Sequence, residues 1–192
     1  MQRSGIVAVL IALLLFGAGL YVSYMMTRDR VQVEQVLGRP LPEGARLVSA
    51  RESREGLIAE ISFPESQQRV TLARVSSKLS MPTSAFVEAT KKYSLERTLD
   101  PAWPEILIRL GAAHVDARRM FRERELALPS IAGSAYTFEG RRRTQVAVLL
   151  LLDAGQSVLV VARQKGRDFD AATLEQLLGR LFPDSTLASR PQ

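Results

Sequence analysis

Residues 144–163 read TQVAVLLLLDAGQSVLVVAR, and the fold turns on this stretch. Residues 144–152 and 157–163 are runs of aliphatic and β-branched side chains. Asp153-Ala154-Gly155 separates them, a three-residue loop with glycine where a left-handed conformation is wanted. The pattern predicts two antiparallel strands. VAVLLLL is apolar at every position, so both of its faces must be covered, either by the protein's own helices or by a partner on the outer face. Downstream, Asp170 is placed to cap a helix whose Leu174, Leu177, Leu178, Leu181 and Phe182 recur at i, i+3 and i+4, and Pro183 ends it. Upstream, residues 134–139 read as one more strand.

Further toward the N-terminus, residues 46–50, 57–63 and 69–76 are short aliphatic runs separated by the turn-like ESREG and PESQQ, which predicts three antiparallel strands. Met81-Pro82 opens a helix in which Pro82, Phe86, Ala89 and Tyr93 share a face. Between residues 95 and 111, Pro101 and Pro104 flank Trp103, and the period of EILIRL stays open between a helical turn and a strand. The expected class is α+β: an antiparallel sheet of about six or seven strands with two main helices on one face, preceded by one N-terminal transmembrane helix. In architecture this order resembles the PsbP/Mog1-type α/β domains of many exported proteins. No sequence motif accompanies the resemblance, so it implies a fold and no function. VEQVLGRPLPEG (33–44) echoes LEQLLGRLFPDS (174–185); shared helix-stop chemistry explains the echo without a tandem repeat.

Residues 5–26, GIVAVLIALLLFGAGLYVSYMM, hold no charge over 22 positions. As a helix they extend about 33 Å at about 1.5 Å per residue, which matches the hydrocarbon thickness of a bilayer. Tyr21 and Tyr24 fall where amphipathic rings suit the interface, and Arg28 and Arg30 follow. The predicted organisation is an N-terminal tail (1–4), a transmembrane signal anchor (5–26), and a juxtamembrane connector with a short helix stopped by Gly38, Pro40 and Pro42 (27–44). A globular domain (45–185) and a C-terminal tail (186–192) complete it. The alternative is a cleavable signal whose apolar core ends at Phe16 before Gly17-Ala18-Gly19. The anchor is preferred because residues 20–26 prolong the apolar run past what a cleavable signal needs. Arg28, Arg30, Arg39 and Arg46 outnumber Arg3 and the amino terminus, which taken literally keeps the domain in the cytoplasm. Folded domains cross largely regardless of charge, and a short leading tail normally stays inside, so an extracytoplasmic domain is expected. Ala8, Ala12, Gly19 and Ser23 lie near one helical stripe and could pack against a second membrane helix, giving a homodimer.

The chain has 192 residues, 26 Lys+Arg against 20 Asp+Glu, no cysteine and one histidine. Disulfides, thiolate metal sites and cysteine nucleophiles are thereby excluded. Arginine supplies 22 of the 26 basic residues, a sign of GC-rich coding that points weakly to a bacterial source. No phosphate-binding or nucleophile-elbow motif occurs. Asp153, Asp168 and Asp170 could pair as carboxylates, but the latter two stand before a helix, where capping suffices. His114 has no evident partner. Arg118, Arg119, Arg122 and Arg124, with Arg141, Arg142 and Arg143, are possible contacts for anions or lipid headgroups, diluted by Glu123, Glu125 and Glu139. From residue 31 onward, 23 basic residues face 19 acidic ones, a net +4, and the aromatics do not interleave with the arginines, which disfavours nucleic acid. The expectation is a single-pass, inner-membrane envelope protein with a non-catalytic extracytoplasmic domain, no metal or cofactor, and an envelope protein as partner. An exported, signal-cleaved ligand-binding protein and, more remotely, a carboxylate-dependent enzyme are the alternatives.

Overall fold

The computed structural model describes residues 3–37, 39–116, 120–129, 134–140, 143–153, 156–166 and 168–182. The elements in chain order are α1 (Arg3–Leu37), β1 (Arg46–Ser53), β2 (Gly56–Phe63), β3 (Gln68–Val75), α2 (Thr83–Glu96), α3 (Glu105–His114), β4 (Met120–Ala127), β5 (Ser134–Gly140), β6 (Thr144–Asp153), β7 (Gln156–Lys165) and α4 (Ala171–Leu181). The seven strands form one sheet in the order β1-β2-β3-β7-β6-β5-β4. Every neighbouring pair is antiparallel. The chain is therefore α+β, with an N-terminal helix apolar enough to span a membrane.

The hairpin of residues 144–163 forms the sheet's centre. Leu149 pairs with Val160 and Asp153 with Gln156, and β7 then pairs with β3 on its other side. Successive residues of β7 point to opposite faces. Val158, Val160 and Ala162 join one buried cluster and Leu159 and Val161 the other. In β6, Ala147, Leu149 and Leu151 divide from Val146 and Val148 in the same way.

Both faces are covered from within the chain. Leu174, Leu177, Leu178 and Leu181 of α4 lie in the first cluster, with Val33 and Leu37 from the end of α1. Phe86, Val87 and Tyr93 of α2 and Leu107 and Ile108 of α3 lie in the second. The two main helices, α2 and α4, thus sit on opposite faces, not on one as the sequence suggested. The reason is the hairpin itself. A central strand apolar at every position cannot leave one face to water, because each buried Leu or Val there contributes about 1.5–3 kcal/mol.

The open segment around Trp103 resolves as a helix. Pro104 stands at the N-terminal boundary of α3, where its missing N–H costs no helical bond. Trp103 is buried, edge-on to Phe86 with ring centroids 5.3 Å apart. Gly111 lets α3 approach α2: a Cβ there would lie 2.8 Å from Thr90 Oγ1 and 2.9 Å from Phe86 Cζ. At the start of α4, Asp170 accepts a hydrogen bond from the Thr173 N–H at 2.7 Å, and hydrogen bonding by Thr173, through its side chain first and its backbone next, holds the carboxyl below the usual carboxylate range.

The connector also differs from expectation. It holds no separate short helix; α1 runs unbroken from Arg3 to Leu37, 35 residues and about 52 Å. From residue 27 to residue 37 there is neither glycine nor proline to stop it, and Arg30 pairs with Glu34 one turn on, at 2.9 Å.

Candidate functional site

The feature that sets this molecule apart is the junction where α1 leaves its apolar stretch and enters the domain. Ile11–Glu34 is long and apolar enough to cross a membrane, and none of its most apolar window is buried by the protein. Leu13, Leu14, Leu15 and Phe16 are all more than half exposed. One turn past Tyr24 the surroundings change. Thr27 donates its hydroxyl to the Ser23 carbonyl, Arg28 lies 3.8 Å from the Glu52 carboxylate, and Gln32 donates to that carboxylate at 2.8 Å. Val33 is then fully buried and Leu37 nearly so.

The exit from the helix is pinned as well. The Arg39 N–H bonds to the Glu34 carbonyl at 3.0 Å, and the Leu41 N–H reaches the Glu34 carboxylate at 3.5 Å. Arg180, at the end of α4, donates to the Glu43 carbonyl at 3.1 Å while its guanidinium lies 4.5 Å from the centre of the Phe63 ring. The helix is fixed to the domain through side chains from α1, β1, β2 and α4. Between α1 and β1 lies a groove of about 510 Å³, lined among others by Asp29, Arg30, Leu41, Pro42, Arg46 and Val48.

Both edges of the sheet are blunted. In β1 the register slips between Leu47 and Ser49, leaving Val48 48% exposed on the bulge. In β4 it slips between Met120 and Arg122, and Arg122, Glu123, Arg124 and Glu125 follow in alternation. Bulges and charge on edge strands discourage pairing with another sheet.

Of the basic residues singled out from the sequence, Arg122 and Arg124 stand at the edge remote from α1. Arg122 and Arg124 are on β4, six strand spacings from β1, or about 29 Å. Arg122 lies 3.7 Å from Glu139, and Arg124 donates to the Phe169 carbonyl at 3.3 Å. Arg143 adopts a left-handed φ of 54°, and its carbonyl accepts the Gly166 N–H. Arg118, Arg119, Arg141 and Arg142 lie outside the described residues. Along α1, Gly19 and Leu37 are eighteen residues apart, five full turns, so they share an azimuth. The stripe of Ala12, Gly19 and Ser23 therefore faces the side on which the domain packs; the Ala8 side chain lies outside the described set.

Among the carboxylates, Asp168 accepts from Gln145 Nε2 at 2.6 Å, Asp170 caps α4, and the Asp153 side chain lies outside the described set. Among the described residues no three His, Cys, Asp or Glu side chains gather as metal ligands. His114, at the C-terminal end of α3, has its Nε2 3.5 Å from the Thr71 hydroxyl and a buried Nδ1 without a protein partner. Burial, and then the nearby Arg163 guanidinium, lower its pKa to about 4; Glu60, 3.3 Å from Arg163, opposes them. The imidazole is held neutral at ordinary pH, with no carboxylate bonded to it that could orient a base.

Sequence reasoning missed the Arg28–Glu52 and Gln32–Glu52 contacts and a row of glutamines, Gln68 and Gln164 buried and Gln145 half-buried. Gln68 donates to Gln164 at 2.8 Å, and Gln145, beside Gln164 in register, accepts from the Phe169 N–H at 2.7 Å. Two glutamines at the start of β3 and end of β7 were visible, but only the pairing shows them to be neighbours.

No protein-family model matches the chain, and no curated protein matches it. The likeness to PsbP/Mog1-type domains is not confirmed by either comparison.

Proposed function

We propose that the chain is a single-pass protein of the bacterial inner membrane whose extracytoplasmic α+β domain binds or scaffolds other envelope components without catalysing a reaction. The observation that carries this reading is α1: an apolar, unburied run that continues without a break into a helix end buried in the domain core. Such a helix suits a permanent anchor, because Val33 and Leu37 belong to the folded domain and Leu20 to Met26 give it an apolar approach. A binding role is supported by the uses to which the candidate catalytic groups are put. Asp168 and Asp170 brace the start of α4, and His114 is half-buried and neutral.

The test is alkaline carbonate extraction of membranes with N-terminal sequencing, together with protease treatment of spheroplasts. The expected result is an uncut chain retained in the membrane pellet and a domain digested from outside. A soluble chain beginning at Leu20 overturns the anchor in favour of the exported form, and a protected domain overturns the orientation.

A further inference from the structure

The continuity of α1 sets the height of the domain above the bilayer. If Met26 marks the end of the apolar run, Arg28 lies about 3 Å, Arg30 about 6 Å and Gln32 about 9 Å beyond it along the helix. The headgroup layer of one leaflet is about 5–8 Å thick. The parts of the domain that touch α1 at this level belong to β1 and the segment before it. Glu52 meets Arg28 and Gln32, and Arg46 and Val48 share a groove with Asp29 and Arg30. The edge strand β1 therefore lies in the headgroup layer, and we infer that β1 and the turn after it are a contact surface for anionic phospholipid headgroups. This rests on the anchor reading and adds the chemistry that the membrane-facing edge recognises.

Three arginines carry it. Arg46, Arg51 and Arg54 are exposed, and among the described residues none makes an ion pair or a side-chain hydrogen bond. The two glutamates in the same stretch are engaged elsewhere: Glu52 by Arg28 and Gln32, and Glu55 by the Ile106 N–H at 3.0 Å. Asp29 and Glu43 also line the groove, so the cationic excess resides in the strand and its turn. The bulge adds a half-exposed Val48 between Arg46 and Arg51, an apolar contact flanked by cations, which suits an interface with both acyl and phosphate character. Arg122 and Arg124 on β4 lie at the opposite edge of the sheet and take no part.

The absence of cysteine makes the test direct. The full-length chain carrying Val48→Cys, or Leu95→Cys on α2 as a control, is labelled with a fluorophore and reconstituted into nanodiscs of mixed phosphatidylcholine and phosphatidylglycerol. Nitroxide is placed on the headgroup of one lipid or the other. The expected result is strong quenching at position 48 and little at 95, with the phosphatidylglycerol-borne nitroxide more effective. Replacing Arg46, Arg51 and Arg54 by Gln should remove that preference, by roughly fivefold per arginine near an anionic surface, while the protein stays in the disc. Equal quenching at 48 and 95, or a preference that survives the triple substitution, overturns the inference. Failure of the wild-type chain to enter discs overturns the anchor reading and this surface with it.

Discussion

Leu37→Ala tests whether the end of α1 is part of the cooperative fold or a helix resting on it. Leu37 is 7% exposed and packs in the cluster that also holds α4 and alternate residues of β2, β3, β6 and β7. Removing a buried leucine side chain costs about 2–5 kcal/mol, depending on how far the cavity collapses. Here the residue stands at the last position of its helix and its surroundings can close partly, so about 2–3 kcal/mol is expected. With a urea dependence of about 2 kcal/mol per molar for a domain of this size, the midpoint should fall by about 1–1.5 M. The chain provides its own reporter. Trp103 is its one tryptophan, buried in the cluster on the other face of the sheet, so its fluorescence sees nothing of Leu37 locally. Equilibrium urea unfolding of the full-length protein in mild detergent, followed at Trp103, should show the shift, whereas Leu95→Ala at a half-exposed site should move the midpoint hardly at all. Coincident midpoints for the wild type and Leu37→Ala would refute the claim that the end of α1 is built into the core.

Two further outcomes follow from the other face. His114 has a pKa near 4 in the fold against 6.5 when free, so on acidification the unfolded chain takes up the proton first. Stability is complete above about pH 6.5 and falls, by up to about 3 kcal/mol, as the pH drops toward 4; His114→Gln should flatten that slope in pH-dependent urea titrations, and an unchanged slope would contradict the assignment. Gly111→Ala should destabilise by about 1–3 kcal/mol, seen as a lowered thermal midpoint, because the added methyl meets Thr90 and Phe86 at under 3 Å; a neutral result would mean that α2 and α3 can part without cost.

Much of the sheet could be read from residue pattern. The hairpin of residues 144–163, the three strands before Pro82, the helix after it and the Asp170-capped α4 all carry local signals strong enough to survive tertiary context. The element at Met120–Ala127 did not show itself, because MFRERELA is an edge strand whose exposed positions alternate in charge and so lack the apolar period that marks a half-buried strand. α3 was ambiguous because six apolar-rich residues after Pro104 do not reveal their own period; what decides it is Trp103 docking on Phe86, a contact remote in sequence. The side on which each helix packs was also hidden. The doubly apolar strand demands two covers without saying which helix supplies which. At the junction, the basic and acidic residues after Met26 read as a connector, while the structure uses Arg28, Gln32 and Glu34 as ties to Glu52 and Leu41. The surface arginines of β4 were conspicuous by density, whereas Arg46, Arg51 and Arg54, more widely spaced, gain their place only from the helix beside them.

If α1 spans a bilayer as proposed, the shared azimuth of Gly19 and Leu37 limits what can lie alongside it. In a straight, parallel pair of copies meeting along the small residues, each folded head would project toward the other helix, and two bodies would compete for one volume above the bilayer. A neighbour nestling closely against that side must be a span that arrives without a bulky head there, or else the copies must splay apart as they leave the lipid.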